Sequence, residues 1–443
     1  VAGSTVTGSF VLGLPIMNIA RAGLADGTFG ERQIGYFVEI TPAGKVIIGS
    51  KDPEIGQGLR TAVPMMVAEE LDVAWEDVSI RQMPLGIVKS GDGYTWKYGG
   101  QGVGGSTGLT NNWEPMRQVG ATARHQLIRA AAERLGVSPE ACRTRQGHVI
   151  CDAEAGEIAY EDLIEDAAKL DMPEDAPPLK AIGDYEIIGT RRDTVDALDM
   201  VTGRSEYGLD TQVDGMRYAV IARSPILNGR VKSFDDTAAR RVDGVLDVFT
   251  IEGPQPGEPY IILASGVAVV ATSTWAALKG REALEIDWEP GPNADDSSEK
   301  FWQENAAMLE TTGQVVLDDG EFDTAMASAD TVVSRRYEVP FVSHQPMEPQ
   351  NCFAHVKEDS CHIIAPTQMP SGASRAAAAV TGLPRENIRI DMTRVGGAFG
   401  RRLTNDYVAE AAMVSQQTGW PIQLVWTRED DVKNDFYRPG GLH

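Results

Sequence analysis

The sequence predicts an α+β protein, because strand patterns and helix patterns recur along the whole chain. Residues 35–50, GYFVEITPAGKVIIGS, alternate apolar and polar residues around a Pro-Ala-Gly turn, which predicts a hairpin. Residues 61–72 place Val63, Met66, Val67 and Leu71 at helical spacing, and 115–135 repeat the pattern with many alanines. Residues 200–290 are rich in strand formers, as in GMRYAVIAR and YIILASGVAVVATS.

Breakers divide these patterns. MPEDAPPLK, 172–180, is rich in Pro and acid and reads as a linker, and GPNADDSSEK, 291–300, closes the middle block. From 315 onwards, strands such as DTVVSRRYEVPFV and NIRIDMTRV alternate with an Ala-rich helix around 373–381. The expected division is a signal-like segment 1–29, a first region 30–175, a middle domain 185–292 and a last region 300–443.

A chain of 443 residues with 42% hydrophobic content has enough apolar material for two or three domains. Acidic residues exceed basic ones by 64 to 40, and the net charge of -24 repels nucleic-acid phosphate, so no nucleic-acid partner is expected. The excess either solvates the surface or offers a docking face to a basic electron-transfer partner. Cys142, Cys151, Cys352 and Cys361 form two pairs without CxxC, so no iron–sulfur or Cys-rich zinc site is written here. Buried free thiols are the favoured expectation, with disulfides in an oxidising compartment as the alternative. TVTGSFVLGLPIMNI, 5–19, reads as the later part of a secretory signal, or else as a buried strand.

Three loops draw attention as ligand sites. RVGGAFGRR, 394–402, follows a strand, and its glycines allow backbone N–H groups to approach an oxyanion; a tight turn with Phe399 as a core plug would use the same residues. Gly396, Gly397 and Gly400 do not match the GxGxxG dinucleotide fingerprint. PEIGQGL, 53–59, leads into a helix and offers its N-terminal amides and the Gln57 amide to an anion, although capping alone explains its glycines. GGQGVGGST, 99–107, has more glycine than a turn needs. Three such loops beside helices point to one extended, phosphate-containing ligand held mainly by backbone.

APTQMPSGASRAAAAVTGLPRENIRIDMTRVGGAFGRR, 365–402, resembles the cofactor segment of the xanthine dehydrogenase and aldehyde oxidoreductase family, with its glutamine before a helix and its GGxFG loop. Gln368 and Phe399 stand at that family's separation. HQPMEPQNC, 344–352, resembles a family strand carrying Glu348, and 201–230 resembles the family's α/β hammerhead domain. The EIGQGL and GGST segments precede the hammerhead, an order similar to the isoquinoline 1-oxidoreductase branch.

The resemblance implies molybdenum-cofactor-binding α/β regions flanking an inserted hammerhead domain at 185–292. It implies a molybdopterin, in the cytosine dinucleotide form, through whose dithiolene the molybdenum is held, and oxidation of an aldehyde or aromatic N-heterocycle with oxygen from water. Gln368 is expected to hydrogen-bond a molybdenum oxo group and to serve catalysis. Gly56, Gln57, Gly58, Gly104, Gly105 and Ser106 are expected to bind the pterin or its phosphates. Gly396, Gly397, Ala398, Phe399, Gly400 and Arg401 are expected to approach the metal. The family's catalytic glutamate motif, GxGE, is not found, so a further chain or missing segment is expected to carry it, and neither Glu54 nor Glu348 is assigned as the base. Leu403 replaces the glutamate that grips a purine, which argues against purine oxidation. Electrons are expected to leave through a small subunit with 2Fe–2S clusters and then a c-type cytochrome, in the periplasm or at the cytoplasmic membrane. The competing classes are a non-catalytic cofactor-holding or maturation subunit and a nucleotide-binding domain unrelated to molybdenum.

Overall fold

The computed structural model describes residues 33–151, 156–253 and 264–443, so the signal-like segment 1–29 lies outside the described residues. The chain divides into two compact units, Val1–Met216 with Asn351–Leu424, and Arg217–Gln350 with Val425–His443. Both mix helices and strands.

In the first unit one sheet has the order β1 (Gln33–Ile34), β2 (Val38–Ile40), β3 (Val46–Ser50) and β4 (Val78–Gln82). The alternation in 35–50 becomes an antiparallel hairpin that sets Val38 opposite Ile48 and Ile40 opposite Val46, with all of these side chains buried. β3 and β4 run parallel and therefore need a crossover, which α1 (Leu59–Leu71) supplies. Val63, Met66, Val67 and Leu71 form part of its buried side. α1 packs on α2 (Gly108–Leu135), and Gly120 sets how closely: a Cβ there would stand 2.4 Å from the Val67 carbonyl oxygen.

A second crossover follows the same logic. Strand Asn351–Val356 pairs antiparallel with Cys361–Ala365, which runs parallel to Ile388–Met392 by way of the helix Pro370–Thr381. In both crossovers the chain leaves the carboxyl ends of parallel strands into Gly- or Gln-bearing loops, where open α/β sheets hold their ligands.

Free thiols were the expectation for both cysteine pairs, and it holds for one. Cys142 and Cys151 face each other on the antiparallel strands Cys142–Arg145 and His148–Cys151 and form a disulfide. Cys361 stands opposite Val356, so register keeps Cys352 away from it, and both thiols are free and buried. Burial pushes Cys361 up to about 12 and Cys352 well above the ordinary thiol range, which leaves neither a ready nucleophile.

The 172–180 stretch is strapped to the first unit instead of linking freely. Gln118 donates to Pro177 O at 3.0 Å, and Arg117 donates to Lys180 O at 2.8 Å. Two adjacent buried glutamates on α1 anchor Lys180 and the residues after it. Glu70 accepts Arg117 Nε at 2.8 Å and the Lys180 N–H at 3.0 Å. Glu69 accepts the N–H groups of Glu186, Ile187 and Ile188 and the Lys180 ammonium, at 2.7–3.2 Å. Burial raises the Glu69 carboxyl, but the donors from Ile188, Ile187, Lys180 and Glu186 outweigh it and hold the group below its usual range.

In the second unit Gly266–Ala271 lies between Arg217–Arg223 and Val245–Ile251, antiparallel to both, and is buried throughout. Helix Thr274–Glu282 packs on these strands, with Ser273 accepting the Ala276 N–H as its cap. Two expectations need correction here. DTVVSRRYEVPFV reads as a strand, yet pairing is confined to its second half, where Tyr337–Val339 meets Gly441–His443 and Val342 meets Arg438, because 331–336 has no partner strand among the described residues. Glu348 lies in a bend ahead of strand Asn351–Val356 and not within it. No described helix is long and apolar enough to cross a membrane.

Gly120→Ala forces a methyl against the α1 backbone, and thermal or denaturant unfolding should show a loss of about 1–3 kcal/mol; an unchanged stability would mean the helices separate freely. Glu69, held low, contributes stability that is complete above the unfolded carboxylate range and is lost as pH falls through its folded value. The Tm difference between wild type and Glu69→Gln should therefore be largest near about pH 7 and shrink below about pH 4.

Candidate cofactor-binding site

The loops singled out in the sequence meet within the first unit. Gln368 is 3% exposed and joins two of them. Its backbone carbonyl accepts the Val103 N–H at 2.9 Å, its Nε2 donates to Val103 O at 2.9 Å, and its Oε1 accepts the Gly400 N–H at 3.1 Å. Its own N–H donates to Arg402 O at 3.0 Å. The third loop is joined by Val395, whose N–H donates to Glu54 O at 3.3 Å. An amide nitrogen carries two N–H groups, and Gln368 uses one of them on Val103.

The 394–402 loop is not plugged into the core by its aromatic residue. Phe399 is 74% exposed and sits at φ 55°, an uncommon conformation for a side chain of its size. Gly400 next to it is at φ 107°, which a residue with a Cβ would adopt only under strain. The neighbouring arginines hold the loop from beneath. Arg401 has a fully buried side chain in a two-pronged pair with Asp406 at 2.7 and 2.9 Å. Arg402 donates to Gly397 O and Pro366 O, each at 3.1 Å. The Arg401 guanidinium is thus turned into the protein, and the loop presents backbone and the Phe399 ring.

The 53–59 loop already contains an anion of its own. The buried Glu54 carboxylate accepts the N–H groups of Gly56 at 2.7 Å, Gly58 at 3.1 Å and Arg60 at 2.9 Å, capping α1. Glu54 is therefore a cap in this fold. Gln57 folds onto its own loop, donating to Pro53 O and accepting the Ile55 N–H. Arg60 was not foreseen: its buried Nε has no hydrogen-bond partner.

The 99–107 loop turns through left-handed Gly105 and Ser106 and enters α2, whose N-cap Thr107 gives its hydroxyl to Gly104 O and caps no N–H. Leu403 packs over Gly104, where a Cβ would meet its Cδ2 at 3.3 Å. A buried carboxylate that sequence reasoning passed over fixes this loop. Asp52 accepts the Gly102 N–H at 3.2 Å, Asn112 Nδ2 at 2.6 Å and Lys51 Nζ at 3.1 Å, and Lys51 also donates to Gly100 O at 2.7 Å. The charge alternation in KDPE just before the glycines was the available signal.

Open backbone and one unpartnered guanidinium N–H fit a large anionic group held by main chain. Cβ atoms placed at Gly56, Gly58, Gly99 and Gly100 would meet nothing within 4 Å, so these backbones face open space. The loops thus offer an approachable, pre-shaped surface.

Residues 14–207 and 306–440 each match a molybdopterin cofactor-binding domain. The chain is 28% identical to the membrane-bound pyrroloquinoline-quinone aldehyde dehydrogenase of Gluconacetobacter polyoxogenes, over 96% of this chain and 53% of that protein. It is 27% identical to the beta chain of isoquinoline 1-oxidoreductase from Brevundimonas diminuta, over 91% of this chain and 55% of that protein. With the molybdenum-binding part of the xanthine dehydrogenase of Escherichia coli O157:H7 the identity is 29%, over 53% of this chain and 36% of that protein. The chain thus spans about half the length of the first two of these relatives. With both cofactor-binding matches placed around loops that Gln368 and Glu54 knit together, the chain belongs to the molybdopterin-binding family of the xanthine dehydrogenases and aldehyde oxidoreductases.

Proposed function

We propose that this chain is the molybdopterin-binding part of a molybdenum hydroxylase that oxidises an aldehyde or aromatic N-heterocycle with oxygen from water. The observation that carries the proposal is the junction at Gln368, which draws the 99–107 and 394–402 loops together and keeps an amide N–H beyond the one given to Val103. When bound, the cofactor supplies a metal that takes two electrons from the substrate. Gln368 directs its amide to that group without adding charge. The backbones of Gly104, Gly105 and Ser106, and of Gly396 to Gly400, cradle it. Gly56 and Gly58 contribute shape, since their N–H groups are bonded to Glu54, Arg401 acts through main chain because its side chain is engaged by Asp406, and Gln57 offers the exposed amide N–H beyond the one given to Pro53. Phe399 presents its exposed ring toward an apolar part of the substrate, and Leu403 offers a purine no carboxylate.

In this reading residues 185–292 form the hammerhead domain, the cofactor is the cytosine dinucleotide form, and a glutamate on a further chain or segment acts as base. Electrons pass to 2Fe–2S clusters on a small subunit and then to a c-type cytochrome. The Cys142–Cys151 disulfide supports a periplasmic location, because such bonds persist in oxidising compartments.

Elemental analysis of the purified assembly should find molybdenum in about equal amount to this chain, whereas a quinone-bearing enzyme would contain none. Gln368→Ala should cut turnover per bound molybdenum roughly a hundredfold or more, as expected on losing a preorganised donor. It should also lower Tm, because the side chain is buried between two loops. Phe399→Ala separates the two effects. Its exposed ring should leave stability within about 0.5 kcal/mol while raising KM for an apolar substrate. Normal turnover in Gln368→Ala with normal molybdenum content would overturn the assignment.

A further inference from the structure

Within residues 53–64 the charged side chains are Glu54 and Arg60, and the fold treats them differently. The Glu54 carboxylate is occupied by the N–H groups of Gly56, Gly58 and Arg60. The Arg60 guanidinium is not engaged. Among the described residues no hydrogen bond or ion pair reaches it, and its Nε is buried without a partner. A buried donor left unpaired is destabilising, and in a folded chain it calls for a ligand, an ion or a catalytic role.

Position and charge decide what Arg60 can take. It stands in the first turn of α1, where side chains lean towards the helix N-terminus, so a long one is directed back along residues 56–58. Gly56 and Gly58 face open space there, and the exposed Gln57 between them keeps an amide N–H beyond the one given to Pro53. The main-chain donors that would ordinarily meet an anion at a helix start are largely taken: Ile55 donates to Gln57, and Gly56, Gly58 and Arg60 donate to Glu54. The Glu54 carboxylate also repels an incoming anion. Holding one at this loop therefore needs a side-chain cation, and the planar fork of a guanidinium suits phosphate oxygens. We propose that Arg60, with the Gln57 amide, holds a phosphate group of the cofactor over Gly56 and Gly58 and offsets the charge of Glu54. This rests on the molybdopterin reading above and adds to it the residue that supplies positive charge.

The test uses the whole chain made in cells that synthesise no molybdenum cofactor, with inorganic phosphate and pyrophosphate as probes of a single phosphate and a diphosphate. Calorimetry should show the wild type binding at least one probe, more weakly as salt rises, and Arg60→Met should weaken that binding about tenfold or more. Arg60→Lys, which keeps the charge and loses the fork, should fall between the two. A loss confined to pyrophosphate identifies a diphosphate, and an equal loss with both probes identifies a single phosphate; either supports the proposal. The Tm of the probe-free Arg60→Met chain should be unchanged or higher, because an unpaired buried donor is removed. In the purified assembly the same variant should retain less molybdenum after dialysis than the wild type. Wild-type chain that binds neither probe, or equal binding by wild type and Arg60→Met, would overturn the proposal. A Tm lowered in Arg60→Met with binding unchanged would overturn it too, since Arg60 would then be a structural counter-charge to Glu54. Molybdenum absent from the wild-type assembly would defeat the enzymatic reading, and that measurement is separate from the loss of probe binding in Arg60→Met.

Discussion

The hydrogen bonds at Gln368 are the constraint on which the candidate site depends. They join positions 265 residues apart in sequence, Val103 and Gln368, and extend to Gly400 on the far side of a crossover helix. Glycine-rich loops have high conformational entropy, and an isolated one would sample many shapes. Here the main-chain groups of one loop satisfy those of the next, so the loops order one another. Buried carboxylates complete the arrangement: Asp52 serves the loop at 99–107, Glu54 serves its own, and Asp406 holds the arginine beneath Phe399.

These residues also show where sequence reasoning succeeds and where it stops. Periodicity located the hairpin at 35–50 and the helix carrying Val63 and Leu71, because both depend on neighbours close in sequence. Gly-rich composition located the loops for the same reason. The side-chain commitments were not legible, since they are decided by distant partners. That Gln57 also closes its own loop, donating to Pro53 O and accepting the Ile55 N–H, was not visible in the sequence. Arg401 likewise resembled an anion binder until Asp406 appeared beside it. The Cys142–Cys151 bond depended on a strand register that two cysteines nine residues apart do not specify.

The 172–180 stretch and the 331–336 stretch depart from expectation in opposite directions. The first has the Pro and acid of a linker, but Glu69 and Glu70 on α1 give its successors buried partners, and composition does not reveal partners. The second has the residues of a strand, but a strand is a pairing between two segments, and among the described residues no second segment lies beside it. Both departures arise from treating a cooperative structure as a local one.

Glu54 has a kinetic consequence. Because its carboxylate already fixes the amides of Gly56, Gly58 and Arg60, the 53–59 loop does not wait for a ligand to become ordered. A bulky group arriving there meets a surface set at folding and incurs little ordering entropy in that loop. Insertion is then governed by how the group reaches the open side of the glycines, much as a key's entry depends on the keyway and not on the tumblers.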